Sequence, residues 1–156
     1  ITVDIGTAVI GAGHMWLLAR DDDAPSGSSL LQVDLQKRQL ISNTPLIDLT
    51  TMLMWKPDSE NLLAWGATET EAGVLAELNA TAGTFGTRFY QSRQLSANDM
   101  SGASSVFDGR TGMVHSILVN DSTGVGVPYS CDVSLRTGEA TVELSKNFGL
   151  AMDLMQ

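Results

Sequence analysis

The sequence is poor in the residues that build reactive or metal-binding sites. Cys131 is the only cysteine among 156 residues, and His14 and His115 are the only histidines. One cysteine allows neither an intramolecular disulfide nor a thiolate zinc site within one chain, so cysteine content does not indicate a compartment. The alternating stretch around Cys131 predicts a small packed or half-exposed strand residue rather than a nucleophile, because a neighbouring acid disfavours the thiolate.

Charge is sparse and mostly of one sign. Charged residues make up 17% of the chain, and nine Lys and Arg stand against eighteen Asp and Glu, for a formal net charge of -9. An acidic surface repels phosphate backbones and anionic lipids, so nucleic acid is not an expected partner. No apolar run reaches the length of about 18 residues that a membrane-spanning helix needs, so membrane insertion is not predicted.

The motifs of common enzyme classes are also missing. Residues 11–13 begin like a dinucleotide-binding turn, but Trp16 stands where that turn needs a small residue. The chain has no phosphate-binding Gly-Lys-Ser/Thr loop, no Gly-x-Ser-x-Gly elbow and no His-Glu-x-x-His helix. Asp48 and Asp153 are the candidates for hydrolase carboxylates, and neither has a matching histidine. The sequence therefore leans away from an enzyme.

What the sequence does contain is a recurring series of short apolar runs separated by Gly, Pro, Asn, Asp and Ser. Steps of seven, then sixteen to nineteen, then seven residues connect the same four strand positions three times. These positions are Ile10, Leu17, Val33 and Leu40; Trp55, Leu62, Leu78 and Phe85; and Phe107, Val114, Val133 and Ala140. The pattern predicts an all-β chain of about three four-stranded antiparallel units.

The turns between the third and fourth strands support this division. They are expected at residues 34–38, 79–83 and 134–138, and each opens on Asp, Asn or Ser, whose side-chain oxygen can accept a backbone hydrogen bond. Two of the three close on Gly, which tolerates positive φ, whereas Arg38 closes the first. Hairpin turns are therefore predicted at all three places.

The third-strand hairpins resemble those of NHL-like and YVTN-like β-propeller blades. The segments concerned are Leu31-Gln32-Val33-Asp34, Leu75-Ala76-Glu77-Leu78-Asn79 and Val133-Ser134-Leu135-Arg136-Thr137-Gly138. The signatures of the WD40 and kelch subclasses are absent, so no subclass function is implied. A propeller ring uses about four to eight blades, so three propeller-like blades imply an incomplete or open ring. The alternative is a β-sandwich or barrel with accidental spacing.

We expect a single β-repeat domain over residues 1–156. Its units cover about 1–47, 48–100 and 101–147, and residues 148–156 resemble the entry into the second unit, which predicts the start of a further unit or a closing strand. Open sheet edges favour pairing with further strands. The expected partner is therefore a protein, either the remainder of a longer chain or another subunit.

Candidate ligand-binding residues are few. Trp65 and Tyr90 fall near predicted strand ends, where an aromatic ring can stack on a sugar or on a partner side chain. Asp21, Asp22 and Asp23 offer the hard oxygen ligands that Ca²⁺ prefers, although the EF-hand spacing is missing and a solvated loop is the alternative. No other cofactor is predicted.

Two glycosylation sequons bear on location. Asn79 and Asn120 each begin an Asn-x-Ser/Thr sequence in a predicted turn, which favours an extracellular or cell-surface protein over the cytoplasmic alternative. The leading hypothesis is a non-enzymatic protein-binding or structural module of a larger extracellular or surface assembly. Two alternatives stay open: a carbohydrate-binding, lectin-like propeller assembled from several chains, and a fragment of a propeller hydrolase.

Overall fold

A computed structural model describes residues 5–57, 62–93, 95–96, 105–120, 123 and 125–133. These residues form three antiparallel sheets of four strands each, which confirms the predicted all-β class, and none of the sheets closes into a barrel. The first sheet contains β1 (Ile5–Gly11), β2 (His14–Arg20), β3 (Ser28–Asp34) and β4 (Gln39–Pro45). The second contains β5 (Leu49–Met54), β6 (Leu62–Ala67), β7 (Gly73–Asn79) and β8 (Thr84–Ser92).

The third sheet has an interrupted outer strand. It contains β9 (Leu95–Ser96), β10 (Val106–Asp108), β11 (Met113–Asn120) and β12 (Gly126–Asp132). β9 pairs with β11 at Val119, and β10 pairs with β11 at His115. β12 pairs with the other edge of β11. The described part of the chain contains no helix that could span a membrane.

The third and fourth strands of the first two sheets are joined by hairpins at the predicted places. Val33 pairs with Leu40, and Leu78 pairs with Phe85, so the step of seven residues spans each turn. The predicted turns at 34–38 and 79–83 are thereby confirmed. The predicted turn at 134–138 lies outside the described residues.

Side chains at the start of these two turns hold the loop backbone. Asp34 Oδ1 accepts a hydrogen bond from the Lys37 N–H at 2.9 Å, and this bond holds the pKa of Asp34 below its usual value. Asn79 Oδ1 accepts bonds from the N–H groups of Thr81 and Ala82 at 3.0 and 2.9 Å. The Asp and Asn that predicted the turns are therefore the residues that stabilise them.

In the β1–β2 hairpin the step of seven residues does not join paired residues. Ile10 pairs with Met15 rather than lying opposite Leu17, whose partner is Ala8. The reason is a two-residue turn at Ala12 and Gly13, with φ angles of 47° and 79°, which suits the twist of adjacent strands. In the third sheet, by contrast, Phe107 and Val114, which are seven residues apart, are paired. Of the steps from second to third strand, only the one in the second sheet joins directly paired residues, Leu62 and Leu78.

Replacing Arg38 with glycine should stabilise the chain. Arg38 has a φ of 54°, at the turn position where Gly83 has 69°. A left-handed conformation costs a residue with a Cβ about 1 to 2 kcal/mol, and glycine avoids this cost. Part of that gain is offset, because glycine gives the unfolded chain more conformational freedom. We expect a gain of about 0.5 to 1 kcal/mol in the free energy of unfolding, measured by urea denaturation. A loss of stability in Arg38→Gly would contradict this account of the turn.

The three sheets stack in chain order, with the second sheet in the middle. Leu62 and Ala64 of β6 pack toward the first sheet, while Leu63 and Trp65 pack toward the third. All six residues of β6 are buried. One core, between the first and second sheets, contains Trp16, Leu18, Leu30, Leu46, Leu53, Leu62, Ala64 and Leu78. The other contains Met54, Leu63, Trp65, Leu75, Phe89, Val114, Leu118, Tyr129, Cys131 and Val133. The middle sheet therefore carries core residues on both of its faces.

Polar contacts also connect the second sheet to the third. The Trp65 indole N–H donates to Ser116 Oγ at 3.0 Å within the buried core. Lys56 Nζ, half-buried, donates to the Val133 carbonyl at 3.2 Å and lies 3.9 Å from Glu77 Oε1. Because these bonds are directional, they fix the relative position of two surfaces that apolar packing alone would leave freer to slide.

Candidate functional site

The outer side of the first sheet carries a row of apolar residues across all four strands. Trp16, Leu18 and Leu30 pack against the second sheet, so their neighbours along β2 and β3 face the opposite way. The backbone pairing aligns one such row, which consists of Ile10, Met15, Val33 and Leu40. The next row consists of Ala8, Leu17, Leu31 and Asn43. We call these eight residues the outer apolar face.

The outer apolar face is accessible in the described structure. Ile10 and Leu40 have 63% and 53% of their surface exposed, and the other six residues of the face are half-buried or exposed. None of the eight carries a charge. A contiguous apolar area of this kind, on a chain with a net charge of -9, is the type of surface through which proteins associate.

The outer apolar face has the same position in the backbone pairing of the first sheet as a buried row of residues has in the second sheet. In the second sheet Leu62 pairs with Leu78, which pairs with Phe85, and this row packs against the first sheet. The corresponding row in the first sheet, counted from the turn between third and fourth strands, is Met15, Val33 and Leu40. The outer apolar face is thus the counterpart of the face that the second sheet buries.

The outer side of the third sheet has a different character. Its paired rows are Asp108, Met113 and Asp132; Val106, His115 and Ser130; and Ile117 with Pro128. His115 Nδ1 lies 2.9 Å from Ser130 Oγ, so this histidine has a strand partner. His14 belongs to the first sheet, and the two histidines therefore lie on different sheets. Polar and charged groups interrupt the apolar residues in this face.

The structure brings Trp65 and Tyr90 together, but inside a core. Trp65 is fully buried, and its ring meets Tyr90 and Tyr129 edge-on at centroid distances of 5.7 and 6.1 Å. Tyr90 is half-buried against the same cluster, and this burial raises its pKa. Neither face of the indole is available to stack on a sugar in this arrangement. The continuous apolar run at 62–65 was the available signal, because a strand buried on both faces lacks polar alternation.

The three adjacent carboxylates at 21–23 do not converge. Asp21 accepts hydrogen bonds from Ser29 Oγ and from the Asp23 N–H, and the first of these contributes most to lowering its pKa. Asp22 forms an exposed ion pair with Arg20 Nε at 3.0 Å. Over the described ranges, no three His, Cys, Asp or Glu side chains are grouped so that they could hold a metal ion. Asp21 instead orders the β2–β3 loop.

Of the two sequon asparagines, the structure describes the side chain of Asn79 but not that of Asn120. Asn79 is exposed at the end of β7, with its side-chain oxygen engaged in the turn. Asn120 is the last residue of β11, and its side chain lies outside the described part of the chain. Glycosylation at both asparagines stays a prediction.

Cys131 is a strand residue, as the sequence predicts, and of the two predicted alternatives, packed or half-exposed, it is the packed one. It is fully buried in the core between the second and third sheets, with Sγ 3.8 Å from the Phe89 carbonyl oxygen. Burial raises the pKa of its thiol, which lowers the fraction of reactive thiolate. The cysteine can therefore report on opening of this core.

Native protein should react with a thiol reagent such as DTNB far more slowly than unfolded protein. At pH 8 we expect at least about 100-fold slower modification of Cys131 than in 8 M urea, because reaction requires the sheets to separate. Ser130→Cys in a Cys131→Ser background provides the control, since residue 130 lies on the outer side of β12. Fast modification of the native wild type would contradict the burial of Cys131.

A cleft of about 670 Å³ opens beside the crossing from the first sheet to the second. Among the described residues, its lining contains no aromatic side chain and includes the polar and charged residues Ser26, Asp48, Thr68, Glu69, Thr70 and Arg88. Asp48 Oδ2 accepts a hydrogen bond from the Phe85 N–H at 2.9 Å, which gives this carboxylate a structural partner. Asp153, the other proposed hydrolase acid, lies outside the described residues.

Comparisons of the chain with protein-family models, with curated proteins and with solved structures give no match.

Proposed function

We propose that the chain is a non-enzymatic protein-binding or structural module that docks through the outer apolar face of its first sheet. The observation that carries this proposal is the uncharged row of Ile10, Met15, Val33 and Leu40, which extends across four strands. Serial stacking of four-stranded antiparallel sheets supports propeller-like blades. The two sequons support an extracellular or surface setting for the assembly.

The energetic argument for docking comes from the exposed area. Full burial of one Ile, Leu, Val or Met side chain contributes about 1.5 to 3 kcal/mol, and Ile10 and Leu40 still have more than half of their surface to bury. Together with the half-buried Met15 and Val33, the row offers several kcal/mol, roughly, against the entropy lost on association. This is enough to favour a covered face when the partner is suitably flat.

The alternatives find less support in the described residues. A lectin-like role loses its leading stacking residue because Trp65 is fully buried. A hydrolase needs convergent acids, whereas Asp48 is occupied by a backbone hydrogen bond and no histidine lines the cleft beside it. Docking needs only the surface that the first sheet already presents.

An environment-sensitive dye tests whether the face is competent to bind. We expect bis-ANS fluorescence to rise on dilute wild-type protein and to fall by more than about half in Ile10→Lys and Leu40→Lys, because a charge interrupts the apolar row. Ile117→Lys is the matched control, since Ile117 is 47% exposed on the outer side of the third sheet. Equal dye binding by the wild type and both face variants would contradict the proposal.

A further inference from the structure

We infer that the occupant of the outer apolar face is the same face of a second copy, so that two chains pair through their first sheets. This inference rests on the proposed docking function and names its partner. The arrangement is isologous, which means that one patch on each subunit contacts the identical patch on the other.

The charge distribution supports a self-complementary contact. Each chain has a formal net charge of -9, so most ways of bringing two copies together place carboxylates near carboxylates. The eight residues of the outer apolar face carry no charge, and Asn43 is the only polar side chain among them. Contact between two such faces therefore desolvates no charged group of the face itself.

The other outer face of the same chain is a poorer partner. A head-to-tail arrangement would cover the outer side of the third sheet, where Asp108 and Asp132 flank Met113 in one row. Placing the Asp108 carboxylate against the uncharged row of the first sheet would remove it from water, and that row offers no opposite charge in return, which is costly. Among the faces described, the first sheet is the best match for itself.

The dimensions predict a weak dimer. Four strands about 4.8 Å apart and about six residues long at 3.3 Å each present roughly 400 Å² per copy, and two such sheets can pack about 10 Å apart. This area is below the roughly 800 Å² per partner of a standard stable interface. We therefore expect a dissociation constant on the order of 10 to 100 μM.

Sedimentation equilibrium of the full chain between 1 and 300 μM tests the inference. Wild type should move from monomer to dimer, and Ile10→Lys and Leu40→Lys should each weaken association at least about tenfold, because the symmetry places every new charge in the contact twice. Ile117→Lys should leave the constant unchanged. Higher salt should tighten the wild-type dimer, since it screens the repulsion between two acidic chains.

Three results would overturn the inference. The first is a wild type that remains monomeric to 300 μM. The second is weakening by Ile117→Lys, which would indicate a head-to-tail contact. The third is association beyond the dimer that Ile10→Lys does not reduce. Ile10→Ser is a milder variant that should still weaken pairing if the lysine disturbs folding, which circular dichroism monitors. A monomer whose outer face binds bis-ANS would reject the second copy as partner while leaving the docking function intact.

Discussion

Trp65→Ala should lower the free energy of unfolding by about 3 to 5 kcal/mol. The indole is fully buried at the contact between the second and third sheets, where it meets Tyr90 and Tyr129. Truncation leaves a cavity among these rings and removes the N–H that donates to the buried Ser116 hydroxyl, which keeps its hydrogen bond with Ser105 Oγ. Urea denaturation followed by circular dichroism measures the change.

Trp65→Phe separates the two contributions. Phenylalanine fills much of the cavity but has no N–H for Ser116, so we expect a smaller loss of about 1 to 2 kcal/mol. Ile10→Ala, at a residue that is 63% exposed in the monomer, should change stability by less than about 0.5 kcal/mol in dilute solution. If Trp65→Ala lowered the free energy of unfolding no more than Ile10→Ala does, this result would contradict the packing of the third sheet on the second.

Gly66→Ala should destabilise the chain by about 3 kcal/mol, although it adds only one methyl group. A Cβ at this position would overlap the Leu49 carbonyl oxygen and the ring of Phe85. Gly66 pairs with Thr50 where β5 has a register irregularity, and the backbone of β5 therefore approaches closely. Neither a carbonyl within a sheet nor a ring packed in a core can move away without a large cost in free energy.

Gly86→Ala is the matched control for this substitution. A Cβ at residue 86 would lie 3.6 Å from the Glu77 carbonyl oxygen, which is an ordinary contact, and the residue is exposed in β8. We expect a change within about 0.5 kcal/mol, measured by the same urea titration. Equal stabilities of Gly66→Ala and Gly86→Ala would show that the close approach of Leu49 is not present in solution.

Local chemistry explains which parts of the fold could be predicted from sequence. The turns at 34–38 and 79–83 were predictable because Asp34 and Asn79 act on backbone groups two or three residues away. The register of the β1–β2 hairpin has no such local signal, because Ala12 adopts positive φ beside Gly13 and alanine does not signal this conformation. The division of the third sheet's outer strand into β9 and β10 also has no local signature.

The candidate site depended on non-local information. The alternation along β2 predicts that Trp16 and Met15 face opposite ways, but it does not say which face another sheet covers. Only the stacking order shows that Trp16 lies inside and that the row containing Met15 lies outside. The same limitation explains Trp65, whose burial depends on a third sheet that begins about thirty residues further along the chain.

Because β6 is buried on both faces, its backbone amides should exchange with solvent later than those of the edge strands. A strand at the margin of a sheet can fray into water while the rest of the fold persists, but β6 lies between β5 and β7 and has core residues on both faces. Its amide protons can exchange with deuterium only when the stack comes apart. Hydrogen exchange at Leu63 and Trp65 therefore reports the stability of the whole assembly of sheets, whereas exchange in β1 or β4 reports local opening.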